Sequence, residues 1–119
     1  MTKPEITGKR DLTFSNWIRK KLPDSKTGLL ISDLDFIICN YKSKTIMLIE
    51  VKTRNKILPE WQERLFQNIN KWIRNGIDKD WIYLGYHVIK FENTFFNDGK
   101  CYFDEKLKTE REIISILSW

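Results

Sequence analysis

Between Ile31 and Thr53 the chain reads ISDLDFIICNYKSKTIMLIEVKT, with Asp33 and Asp35 heading one apolar run and Glu50 and Lys52 closing the next. An acid and a lysine two apart at the end of a buried strand are costly to desolvate unless something compensates both. A divalent cation compensates carboxylates, and a substrate phosphate compensates a lysine. The chemistry implied is hydrolysis of a phosphodiester. Hard oxygen donors suit Mg²⁺ or Mn²⁺, which keep several waters and accept phosphate oxygens.

Two strands must position these groups. The runs Asp35–Cys39 and Thr45–Val51 are rich in β-branched and aromatic residues, and polar Asn40 to Lys44 separates them, which predicts an antiparallel hairpin. A turn centred on Lys42 and Ser43 sets Asp35 opposite Glu50 and Asp33 opposite Lys52, with opposed Cβ atoms roughly 4.5–5.5 Å apart. Alternation gives Glu50 and Lys52 one face and turns Val51 to the other. Carboxylates this close repel, and one pKa rises unless a cation lies between them. A slip of one residue would undo the arrangement.

Asp35 followed across a short hairpin by Glu50-Val51-Lys52 resembles the active-site signature of the PD-(D/E)XK nuclease superfamily, with Leu34 where a proline is usual. The continuation from Glu50 to Gln62 is an ExK strand, a basic loop and a helix carrying glutamine in its first turn. It is similar to the virus-type replication-repair nuclease branch, which is itself Holliday-junction-resolvase-like. The resemblance implies an α/β (α+β) fold with a restriction-endonuclease-like core, α–β–β–α–β, its central mixed sheet flanked by helices. It implies a Mg²⁺- or Mn²⁺-dependent endonuclease acting on DNA. Asp35, Glu50 and the Val51 carbonyl would be metal ligands, and Lys52 would orient the attacking water or stabilise phosphate charge. Gln62 would reach the lysine, the water or a phosphate, with Gln67 a more distant competitor. Asp33 stays open between a second metal ligand, a partner for Lys52 and a solvated strand end. Some branches add an acid from the first helix, for which only Asp11 and the preceding Glu5 are available.

At 119 residues, 41% hydrophobic and 13% aromatic, the chain is expected to form one folded domain over 1–119, with residues 1–9 a loose arm. The net charge of +5 suits a polyanionic partner. Arg54 and Lys56, directly after Lys52, are the leading phosphate contacts. Lys42 and Lys44 at the hairpin turn, and Lys20, Lys21 and Lys26 near the first loop, are weaker ones, since charge runs are usually solvated faces. Cys39 and Cys101 belong to no metal-binding spacing and read as reduced thiols of a cytoplasmic protein. No apolar core marks a signal peptide and no apolar run reaches ~20 residues, so no membrane association is expected.

Other elements complete the frame. Asp11 to Leu22 predicts an amphipathic helix stopped by Pro23. Leu29 to Ile31 could be a short first strand or a lead-in. A second helix from Pro59 to about Asn75, closed by Gly76, is expected to bury one stripe of Trp61, Leu65, Ile69, Trp72 and Ile73. Trp81 to Phe91 reads as a strand, with His87 structural. Asn97-Asp98-Gly99 suggests a hairpin of 91–96 with 100–103. Thr109 and Glu112 are spaced as a capping box opening a terminal helix.

The leading function from sequence is an endonuclease, with branched or recombination DNA favoured because no separate sequence-reading domain is evident. A homodimer through apolar Ile113, Ile114, Ile116, Leu117 and Trp119 would deliver paired cuts. The alternative is a non-catalytic nucleic-acid-binding module on a degenerate nuclease fold. A nuclease toxin or a subunit of a restriction or repair complex would share the same chemistry.

Overall fold

The structure is a computed structural model that describes residues 12–23 and 25–119. The chain divides into two compact units, residues 1–31 and 32–119. In the first, α1 (Thr13–Lys21) is followed by a single 3₁₀ turn, Ser25–Thr27. Arg19, Lys20 and Lys21 crowd the last turn of α1, where cations complement the helix dipole. The helix stops ahead of Pro23, with the Leu22 amide donating back to the Ile18 carbonyl. Residues 29–31 form no strand and are the lead-in alone. The arm expected over 1–9, and the candidate acids Glu5 and Asp11, lie outside the described residues.

The second unit is a five-stranded mixed sheet of order β1-β2-β3-β4-β5. Its elements are β1 (Phe36–Asn40), β2 (Thr45–Lys52), α2 (Glu60–Gly76), β3 (Ile82–Phe91), β4 (Cys101–Phe103), β5 (Lys106–Lys108) and α3 (Glu110–Leu117). Only β2 and β3 run parallel, and α2 is the crossover that parallel pairing requires. The α+β architecture expected from the sequence is the one observed.

The register between β1 and β2 runs from Phe36↔Ile49 to Asn40↔Thr45, as a turn centred on Lys42 and Ser43 demands. Local chemistry sets that turn. The Asn40 side-chain oxygen accepts from the amides of Lys42 (2.9 Å) and Ser43 (3.1 Å), and Lys44 adopts the left-handed conformation at φ 52°.

Alternation along β2 divides the core. Met47 and Ile49 join Ile89, Phe91, Cys101 and Ile113 of α3 on one face. Leu48 joins Tyr86 of β3 with Leu58 and Phe66 on the other, under α2. Glu50 shares its parity with Leu48 and therefore points beneath α2. A bulge in β3 keeps this division intact. Gly85, at φ +98°, takes up the register shift, and a Cβ there would lie 2.8 Å from the Arg74 guanidinium.

Three expectations need correction. The buried stripe of α2 is Phe66, Ile69 and Ile73 in phase with Gln62, while Trp61 and Trp72 are exposed. The large tryptophan surfaces bias a helical reading toward the wrong phase. Second, β3 ends at Phe91 and the next strand begins at Cys101. Residues 92–100 form a loop tied by the Asp98 carboxylate, which accepts from the amides of Thr94 and Phe95. Third, β4 and β5 form an unforeseen hairpin through Asp104 and Glu105, both at positive φ without a glycine (49° and 70°). Asp104 is held there because its carboxylate accepts from the Val88 amide at 3.0 Å and faces His87 Nδ1 at 2.5 Å. The other His87 nitrogen meets the Leu84 carbonyl at 2.6 Å, so both ring nitrogens are engaged in structure.

The capping box of α3 forms as its spacing indicated. The apolar residues assigned to a dimer interface are used internally. Ile113 is buried, while Ile116, Leu117 and Trp119 pack against the same core, leaving Ile114 exposed. The Trp119 main-chain oxygen accepts from the Asn40 side-chain amide, fixing the chain end to β1. Cys39 is exposed and Cys101 buried, both as free thiols. No described helix is long and apolar enough to cross a membrane.

Candidate active site

The open end of the β1–β2 hairpin, beneath the first turn of α2, gathers the acids and lysine singled out by sequence. Asp35 stands one residue before β1, and Glu50 and Lys52 lie in the last three residues of β2. The two acids are cross-linked through main chain. The Asp35 amide donates to Glu50 Oε1 at 3.3 Å, and the Val51 amide donates to Asp35 Oδ2 at 2.8 Å. Lys52 Nζ lies 3.8 Å from Glu50 Oε2, with its side chain 22% exposed.

Glu50 is the anomalous group. It is 2% exposed, on a strand face otherwise given to Leu48 and the α2 core. Burial pushes its pKa up to about 7, helped by the hydrogen bond and negative charge of Asp35, while Lys52 pulls the other way. A carboxyl so placed holds a proton or needs a cation.

Gln62 supplies the roof. It occupies the first position of the buried α2 stripe, where its Nε2 donates to Ser32 Oγ at 2.9 Å and to Glu50 Oε2 at 3.3 Å. The glutamine thus fixes the acid and hooks the segment leading into Asp35. Pro59 precedes the helix and enforces its starting geometry, which directs Gln62 inward. Ser32 was not foreseen; its position three residues before Asp35 carries no signal without knowledge of where α2 begins. Tyr86 was also missed. Its hydroxyl is buried without a hydrogen-bond partner among the described residues, and burial followed by the charge of Glu50 raises its pKa.

The Asp35 and Glu50 carboxylates are hard oxygen donors of the kind a divalent cation takes while it retains waters, and the resemblance would add the Val51 carbonyl. Among the described residues no group of three or more His, Cys, Asp or Glu side chains gathers. The buried Glu50, with Lys52 3.8 Å away, is the group whose burial a cation or a proton can offset.

The remaining candidates separate in space. Asp33 is exposed, two residues before Asp35. Arg54 and Lys56 are exposed on the turn that follows Lys52. Arg54 and Asn55 both adopt left-handed backbone (φ 56° and 55°), the Lys56 amide closes the turn on the Thr53 carbonyl, and the Arg54 amide donates to the Asn93 carbonyl at 2.7 Å. Two such residues cost of order 1–3 kcal/mol each, so the surrounding structure must hold them. Lys42 and Lys44 sit at the opposite end of the hairpin, and Lys44 pairs with Asp80 at 2.6 Å. The structure does not bring them to the site.

No family model matches the chain, and no solved structure matches it. A curated relative from Archaeoglobus fulgidus, described as an uncharacterized protein, is 30% identical over 105 residues, which cover 84% of this chain and 69% of the relative.

Proposed function

The chain belongs to one family with that uncharacterized archaeal protein, and from the site itself we propose a metal-dependent endonuclease that hydrolyses phosphodiester bonds in DNA, on the PD-(D/E)XK pattern. The observation that carries this reading is the buried Glu50, set against Asp35 by the hairpin register and next to Lys52 on the same strand. Asp35, Glu50 and the Val51 carbonyl would hold Mg²⁺ or Mn²⁺. Such an ion polarises the scissile phosphate and lowers the pKa of a coordinated water.

The chain's own groups do the rest. Lys52, beside Glu50 and partly open to solvent, carries the positive charge that meets the phosphate oxygens as negative charge develops on them. Gln62 holds Glu50 Oε2 in place from the roof of the site and so fixes the carboxyl orientation. Arg54 and Lys56 would take flanking phosphates, positioning the strand without reading its sequence. The two free thiols suit a reducing, cytoplasmic setting.

A cleavage panel tests the proposal. Purified protein in Mn²⁺ is expected to cut one or more of plasmid, forked and single-stranded DNA, and to cut none in EDTA. Glu50→Ala and Lys52→Ala are expected to lower the rate by about 10²–10³-fold each. Salt-dependent DNA binding with every substrate left intact would replace the enzyme with a non-catalytic binding module.

A further inference from the structure

We propose that Ile57 is an apolar wedge that opens a base step of the bound DNA, which makes the substrate of this site branched DNA, such as a fork, where stacking is already interrupted. The proposal rests on the endonuclease reading above. Ile57 is 82% exposed, on the segment between β2 and α2, five residues after Lys52 and five before Gln62. Its neighbour Leu58 is 6% exposed and packs with Leu48, Phe66 and Tyr86. Burial of Leu58 anchors the segment and directs Ile57 outward.

The segment is also fixed at its other end. Residues 53–56 close into a turn through the Lys56 amide and the Thr53 carbonyl at 3.1 Å, and the Arg54 amide is held by the Asn93 carbonyl. An exposed isoleucine is ordinary on a protein surface. This one directly follows Lys56, with Arg54 three residues before it, on the short segment that joins Lys52 of β2 to α2. Cations neutralise the phosphates next to a step, and a β-branched side chain adjoining them can enter the step. Unstacking costs least where the helix is already broken, so a wedge selects a branch over continuous duplex. Trp61, 44% exposed in the first turn of α2, adds a ring face on which a displaced base can stack.

The test uses forked DNA carrying 2-aminopurine at the branch, with saturating full-length protein in Ca²⁺, and cleavage rates of fork and single strand in Mn²⁺. Wild type is expected to raise the fluorescence of the fork, and Ile57→Ala and Ile57→Ser to abolish that rise. Ile57→Leu should retain it. The fork-to-single-strand rate ratio should fall by about tenfold or more in Ile57→Ala. A full fluorescence rise with Ile57→Ala, or an unchanged ratio, overturns the wedge. So does a change in molecular mass by light scattering in Ile57→Ala without loss of the rise, which would assign the residue to self-association. A wild-type rise that Ile57→Ala loses, with no cleavage of either substrate, leaves the wedge standing and removes the endonuclease.

Discussion

The two ends of the β1–β2 hairpin each hold a lysine and an acid, yet only one end buries its acid. At the turn, Lys44 and Asp80 approach to 2.6 Å with side chains 49% and 60% exposed. At the open end, Lys52 and Glu50 stand 3.8 Å apart, and the Glu50 side chain is 3% exposed. The shorter contact is the weaker influence, because water screens both charges and an exposed pair contributes at most about 1 kcal/mol. The longer contact leaves a desolvated acid incompletely compensated, and Asp35 worsens its balance. Environment, not separation, distinguishes a surface ion pair from a group available for chemistry.

Substitutions at the two ends should separate them. The largest effect on stability is expected from Glu50→Gln in EDTA. Because the folded state raises the Glu50 pKa from 4.5 to about 7, folding favours the protonated form. Wild-type stability contributed by this group is therefore complete below about pH 4.5 and lost as pH rises through 7, a swing of about 3 kcal/mol. Glu50→Gln should flatten that dependence, melting higher than wild type at pH 8 and equally at pH 4. Parallel pH profiles for the two proteins in urea titrations would show that burial does not strain the acid.

Gln62→Ala should act less strongly and through position. Losing donors to Ser32 and Glu50 is expected to cost about 1–2 kcal/mol by denaturant melting, and to slow cleavage more than it weakens DNA binding. Least of all, Lys44→Ala should shift stability by under about 0.5 kcal/mol and leave cleavage at the wild-type rate. A large cleavage defect there would mean that the hairpin turn joins the DNA surface after all.

What could be read from sequence follows the range over which each feature is determined. The β1–β2 register was legible because alternation from Phe36 to Val51 and the Asn40 turn are local and agree with each other. From that register the pairing of Asp35 with Glu50 follows. The phase of α2 was not legible, since Trp61 and Trp72 offer as apolar a stripe as Phe66, Ile69 and Ile73 do, and only packing on Leu48 and Tyr86 chooses between them. Gln62 could be named from resemblance, but its place on the buried face could not. The β4–β5 hairpin was hidden because Asp104 and Glu105 give no glycine or asparagine signal. Their left-handed turn is held by Val88 and His87, about sixteen residues earlier in the chain.

The position of Glu50 within the α2-facing core also bears on how such a sequence changes over generations. Its neighbours along that strand face are side chains whose task is packing, and a glutamine in its place can still accept from Gln62, so a neutral replacement of similar volume fits the same slot and relieves the buried charge. Loss of the proposed activity would thus be one substitution away and downhill in folding free energy. On that reading, a lineage carrying this domain keeps the acid only while selection for the proposed chemistry outweighs a standing bias toward a more stable and inactive descendant.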